Sequence, residues 1–355
     1  MTNSKSTNSR KVSRYVCDDL ADAVIADYFP DKRKDLQAIL NGFNRNDIDF
    51  GSEATASLVA LRQNINDTIA KYDSDLMIQG RKFFDRYASD NLMLLGFLSL
   101  PYCYAAANGS AVLSTSKKIL EDPKTRLSET ALFVFEVMKS GAFDKYGAGL
   151  TVILKVRLMH AAVRWYIKNS GDWDVEKLGE PINQEDMAGT NLAFSLLVIR
   201  GLRKLGRQVD SKDAFAYIYY WNAVGEMLGV EPDLLPADNK VAFKLEREIR
   251  LSQFAKSESG VKLTKSLVNY LTKETNGTLV EGMVEPIMSF FLGDRVSETV
   301  GIDLNYTQKT ILKPYRVFLT LKNLLVDEKD SFGKAYLEFK KHSTNSLDDQ
   351  IFALP

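Results

Sequence analysis

Histidine and cysteine are scarce in this chain, and neither sign of charge is in excess. Its 355 residues include two histidines and two cysteines, and 46 Lys and Arg balance 46 Asp and Glu. The cysteines, Cys17 and Cys103, allow one disulfide but no disulfide framework. Cys103 lies in an apolar run and is expected to pack as a small hydrophobe. This usage fits a reducing compartment, so a cytoplasmic location is expected. Balanced charge leaves no general footprint for nucleic acid or an anionic membrane, and neither is expected as a partner. Long apolar runs are missing too. The longest, "LMLLGFLSLPYCYAAA", covers residues 92–107 and contains Gly96, Ser99 and Pro101. It falls short of the roughly 20 apolar residues that a membrane helix needs, so a buried helix is predicted there. The opening "MTNSKSTNSRKVSRY" is polar and basic and lacks the apolar centre of a secretory signal.

Several catalytic signatures are absent. There is no glycine-rich phosphate loop with its lysine, no G-x-G-x-x-G after a strand, no Cys-x-x-Cys and no H-E-x-x-H. A two-histidine, one-carboxylate iron site requires both His160 and His342. One lies in a strong helical pattern and the other in a polar tail, which disfavours that site. Alternating strand patterns with hairpin turn pairs do not occur over any length.

What the chain does have is helical period. Hydrophobic residues make up 45% and charged residues 26%, enough for a sizeable core. Apolar residues recur every three or four positions in 20–29, around Leu36, Ile39 and Leu40, and in 57–72, 128–143, 151–171, 192–206 and 212–229. Ser128 reads as a helix start, and Gly141, Gly171, Gly206 and Gly229 as stops. Further helical patterns cover 239–257, 261–273, 278–292, 307–325 and 331–341. No solenoid-length repeat or Pro/Ser-rich linker divides the chain. The expectation is a single large all-α domain over 11–342, with a disordered N-terminus at 1–10 and a polar tail at 343–355. Tyr217, Tyr219, Tyr220 and Trp221 read as core, and Asp186, Gly189 and Thr190 as a turn and helix start. The stretch 244–258 reads as a solvated helix face, and His342 as a surface residue.

One segment resists so plain a reading. "LKVRLMHAAVRWYI", residues 154–167, is an apolar helix that carries Arg157, His160 and Arg164. With Arg157 at zero, His160 falls at about 300° and Arg164 at about 340°, an arc of about 60°, while Lys155 lies on the far side at about 160°. On residue types alone, the simplest account is a core histidine flanked by arginines paired to buried acids. Haem is the other account. A porphyrin supplies four nitrogens, so the protein need offer one axial ligand, and its two propionates suit arginine forks. A bare metal ion suits the stripe poorly, because the arginines repel it.

Several motifs occur in a fixed order around that helix. They are "GFLSLPYCYAAANGSAVL" (96–113), "RLSET" (126–130), "VRLMHAAVRWYI", "PINQEDMAGTNLAFSLLVIRGLRKLG" (181–206) and "YYWNAVGEMLGVEPDLLP" (219–236). Together, over roughly 75–255, they resemble the latex-clearing-protein family of rubber oxygenases, which includes fungal membrane-bound oxygenases of the mycophenolic acid pathway. The resemblance implies an all-α fold with a globin-like core, b-type haem, and O2-dependent oxidation or cleavage of a C=C bond in an apolar, isoprenoid-like small-molecule or oligomeric substrate. It makes His160 the axial ligand of the haem iron, with Arg157 and Arg164 holding propionates or bracing the helix. It places Arg126, Glu129 and Thr130 on the distal side. Where rubber oxygenases read Arg-x-x-Lys-Thr, this chain has Glu129 in place of the lysine. That departure puts in doubt both a lysine-capped iron and polyisoprene as the substrate. A carboxylate in an apolar pocket serves as a base for an allylic proton; at a helix start it is an ordinary capping acid. The alternatives are a haem or gas binder without turnover, and a cofactor-free helical interaction protein.

Overall fold

Polar caps punctuate this chain more often than prolines do. Most of its helices start on an Asp, Asn, Ser or Thr whose side chain binds an amide of the first turn. The cause is general: the first four amides of a helix lack intrahelical acceptors, and a short polar side chain supplies one. The computed structural model describes residues 13–29, 31–115, 122–278, 281–304 and 331–342, and these form helices with no strand among them. One isolated antiparallel bridge joins Ala106 to Phe254. Asp18 caps α1 (Asp19–Tyr28), which is followed by α2 (Arg33–Gly42). Thr55 caps α3 (Ala56–Ile69), and Asp73 caps the long α4 (Ser74–Leu94).

The apolar run at 92–107 is the end of α4, a π-helical turn at Leu95–Ser99, and the short α5 (Leu100–Tyr104). A single straight helix was the simpler expectation. Pro101 has no N–H to close a bond back to the preceding turn, and widening that turn accommodates it. Beyond it lies α6 (Ala107–Ser114).

Helix α7 (Pro123–Met138) begins five residues before Ser128, the expected start. Asp122 is the cap. It accepts from the Thr125 amide at 3.0 Å, and Pro123 occupies the first helical position. Ser128 and Glu129 therefore lie inside the helix, not at its start. The central α8 (Gly149–Ser170) ends at Gly171, whose φ of 77° is a left-handed stop. After the one-turn α9 (Val175–Leu178), the expected helix at 192–206 proves to be two. These are α10 (Gln184–Phe194), capped by Asn183, and α11 (Leu196–Lys204), broken at Ser195. Then come α12 (Ser211–Met227), α13 (Asn239–Gln253), α14 (Glu258–Glu274), α15 (Val284–Leu292), α16 (Asp294–Thr299) and α17 (Ser331–His342). The predicted N-terminal and C-terminal tails and the 307–325 helix lie outside the described residues.

The core forms where α4 crosses α12. Gly80 permits the approach, since a Cβ there would sit 2.4 Å from the Ala216 carbonyl oxygen. Tyr217, Tyr220 and Trp221 of α12 are buried as expected. The 244–258 stretch is a correction. One face of α13 is solvated, but Glu246 is 3% exposed and accepts from Arg200 at 2.7 Å and Arg250 at 2.9 Å. A carboxylate can be buried there because two guanidiniums replace its water.

At the start of α10 two carboxylates share one arginine. Arg14 donates to Asp186 at 2.9 Å and to Glu185 at 3.3 Å. Burial pushes both carboxyls above their ordinary range despite Arg14. Folded protein therefore holds protons here that the unfolded chain has released, and the stability they contribute is lost as pH rises through the folded values. Glu185→Gln removes one of the pair. Urea midpoints measured upward from about pH 4, the ordinary carboxylate value, should fall less steeply for this variant than for the unaltered chain.

Candidate functional site

Helix α8 has two unlike sides. One packs on α1 and α3 and carries the arginines. Arg157 is 3% exposed; its Nε donates to Asp18 at 2.5 Å and its Nη2 to the other Asp18 oxygen at 2.9 Å. Its Nη1 donates to Asn64 at 2.8 Å and to the Met227 carbonyl at 3.2 Å. Gly229 (φ 94°) closes this nest, where a Cβ would lie 2.6 Å from the Asp18 carboxylate. Arg164 is 1% exposed and donates from Nε to Asp22 at 2.8 Å. Its Nη1 meets the carbonyl of Ile182 at 3.4 Å. Ile182 holds a φ of 53°, an outlier for a β-branched residue. Both arginines thus brace α8 against Asp18 and Asp22 of the α1 end. These contacts brace the helix, one of the two roles expected for the arginines; Arg164 Nη2 lies 2.7 Å from Asp22 yet makes no aligned hydrogen bond among the described residues.

The other side of α8 is the only part of its middle turns that is not packed shut. Lys155, Met159, His160 and Val163 are half-exposed there, among neighbours that are buried. At 100° per residue, Lys155, Met159, Val163 and His160 span about 140° of the helix surface. His160 is at one border of the stripe, next to the arginines, and Lys155 is at the other. The neighbouring helix α7 packs on α8. Every residue from Arg126 to Leu132 is half-exposed, whichever way it points, before the helix enters the core at Phe133.

His160 is the chemical centre of this stripe. Its Nδ1 is buried and has no hydrogen-bond partner among the described residues. Burial, then the positive charges of Arg164 and Arg126, push the imidazole down to about 3, with Asp18 opposing. The ring is therefore neutral at physiological pH and keeps a lone pair, as a metal ligand must. A ligating histidine commonly gives its second N–H to an acceptor; this ring is held by packing instead.

Arg126 reaches the site from α7. Its charge is felt by His160 and also by Tyr104 at the end of α5. Glu129 lies 3.6 Å from Arg126 and so stands beside a cation, not alone among apolar groups. Thr130 donates its hydroxyl back to the Arg126 carbonyl at 2.9 Å. The structure thus brings His160 and Arg126 together, with Glu129 and Thr130 in the same two turns as Arg126. Asp18, Asp22 and Tyr104 belong to no motif that the sequence singled out, and Lys155 lies on the far side of α8 from the arginines, as its spacing predicts. Among the described residues, no helix is long and apolar enough to cross a membrane.

The frame is all-α among the described residues, and the central helix carries one histidine of lowered pKa on its half-buried face, near an arginine. Residues 86–322 match the catalytic domain described as ER-bound oxygenase mpaB/B'/rubber oxygenase, and the chain belongs to that family. A rubber oxygenase of Streptomyces sp. (strain K30) is 27% identical over 183 residues, which are 51% of this chain and 45% of that protein. The match thus spans a little under half the length of that relative. The structure titled latex clearing protein LCP in the closed state superposes with a TM-score of 0.78 at 22% identity, covering 92% of this chain and 91% of that one. This second likeness is one of fold.

Proposed function

We propose that this chain is a haem b-dependent oxygenase that uses O2 to oxidise or cleave a C=C bond in an apolar, isoprenoid-like substrate. One observation carries the reading: the neutral, unpartnered imidazole of His160 on the half-exposed face of α8, in a chain of the rubber oxygenase family. The residues suit the cofactor. His160 would hold it through an uncharged nitrogen, and Met159 and Val163 on the same half-buried face would offer it apolar surface. Haem, when bound, supplies the redox-active iron at which O2 is activated.

The protein's own contribution is positioning and charge. Arg126 places a cation near His160 and disfavours a protonated imidazole. Glu129 is the carboxylate available to accept an allylic proton from the substrate, with Arg126 fixing its position. Polyisoprene is the substrate class suggested by the relatives.

An absorption spectrum and an oxygen electrode test the reading. Protein expressed with an ample haem supply is expected to show a Soret band and to consume O2 when squalene is added. A Soret band without olefin-dependent uptake would leave a haem or gas binder. Colourless protein that refuses hemin would leave a helical interaction protein.

A further inference from the structure

Large apolar side chains are thinly spread over the exposed surface, with one exception. Among the described residues, no helix but α13 exposes more than one. Helix α13 exposes three: Val241, Phe243 and Leu251, at 43%, 52% and 57%. Apolar groups scattered singly on a surface need no explanation, but several on one element mark a contact surface. Helical geometry shows what accompanies them. With Phe243 at zero, Arg247 falls at about 40°, Lys240 at about 60°, Leu251 at about 80° and Lys244 at about 100°. All five side chains are exposed. One arc of about 100° thus holds three cations, two large apolar groups and no acid. The nearest acid around the helix, Glu248, falls outside it at about 140°. The buried acid of α13, Glu246, faces inward to Arg200 and Arg250.

We propose that this face of α13 docks the protein on an anionic lipid bilayer. Phe243 and Leu251 enter the boundary between headgroups and acyl chains, and Lys240, Lys244 and Arg247 meet the headgroups. A soluble polyanion would satisfy the cations and leave the apolar pair in water. A wholly apolar partner would strand the cations. An anionic bilayer serves both, because its charged headgroups lie directly over hydrocarbon. Phe243 and Leu251 are about 12 Å apart along the axis with Arg247 between them, so α13 meets the surface lying flat. The balanced charge of the whole chain does not oppose this, since attraction to a charged surface fades within a Debye length and the local face decides. Docking does not depend on the haem reading, though it would bring the protein to the phase in which an apolar olefin dissolves.

Co-sedimentation with phosphatidylcholine vesicles, with and without phosphatidylserine as about a third of the lipid, tests this. Unaltered protein is expected to bind the phosphatidylserine vesicles and to lose most of that binding in high salt. Lys240→Gln, Lys244→Gln and Arg247→Gln together are expected to weaken it about a hundredfold, at roughly fivefold per cation. Leu251→Ser alone is expected to weaken it several-fold without lowering the thermal melt, because so exposed a side chain supports little packing. Phe243→Trp is expected to keep binding and to gain blue-shifted emission with these vesicles only. The proposal is overturned if unaltered protein does not distinguish phosphatidylserine vesicles from neutral ones. Binding that needs the cations but is indifferent to Phe243→Ser and Leu251→Ser overturns it too, and points to a soluble polyanion instead.

Discussion

Replacing His160 with glycine is expected to give colourless protein from cells supplied with haem precursor, and added imidazole is expected to restore the Soret band. The glycine variant removes an imidazole whose buried Nδ1 has no hydrogen-bond partner among the described residues, and it leaves a space of the same shape. Free imidazole can fill that space and offer the same nitrogen to iron. Removing a mere partner of a metal ligand costs roughly 10–100-fold in affinity, so loss of the ligand itself should exceed that range. Deleting a buried ring also costs stability, on the order of a few kcal/mol. A circular dichroism melt of the cofactor-free variant therefore belongs in the experiment. Folded but colourless protein that imidazole rescues supports axial ligation. Full haem occupancy with an unchanged spectrum in the glycine variant would refute it.

The sequence made His160 conspicuous because arginine and histidine are rare in so apolar a helix, and period alone put all three on one arc. The partners of the arginines were not legible. Asp18 and Asp22 lie 139 and 142 positions upstream, in a stretch that reads as an ordinary acidic helix start. Only the packing of α1 on α8 turns cap acids into counter-ions. The same limit hid the start of α7. Lys124, Thr125 and Arg126 carry no apolar period, so the pattern becomes visible only near Ser128, although Asp122 and Pro123 hold a standard cap. Ser195 shows the opposite case. Its flanks are continuous in hydrophobicity, and the break between α10 and α11 is a matter of backbone angles (φ −106°, ψ −81°) that no residue pattern marks. Periodicity placed Lys155 away from the arginines, and the fold keeps it there. What matters is which side of α8 remains half-open, and that depends on how α1, α3 and α7 pack around it.

Arg157→Met is expected to destabilise the cofactor-free protein by roughly 3–5 kcal/mol, the range for breaking a buried ion pair from one side. Both side chains of the Arg157–Asp18 pair are 4% exposed, so the orphaned carboxylate has no route to water. Asn64 and the Met227 carbonyl lose a donor in the same step. Asp18→Asn placed on top should recover much of the loss, because it removes the stranded charge while keeping an oxygen for the α1 cap. Urea midpoints for the two single variants and the double variant measure this coupling. The same experiment decides between the two roles once assigned to Arg157. A brace between α8 and α1 predicts a large loss in the cofactor-free state that depends on Asp18. A propionate anchor predicts a near-neutral cofactor-free variant, independent of Asp18, with the defect confined to hemin release. Additive effects of R157M and D18N would remove the ion pair from any part in holding α8. With it would go the reason why His160 is presented on a helix that cannot shift.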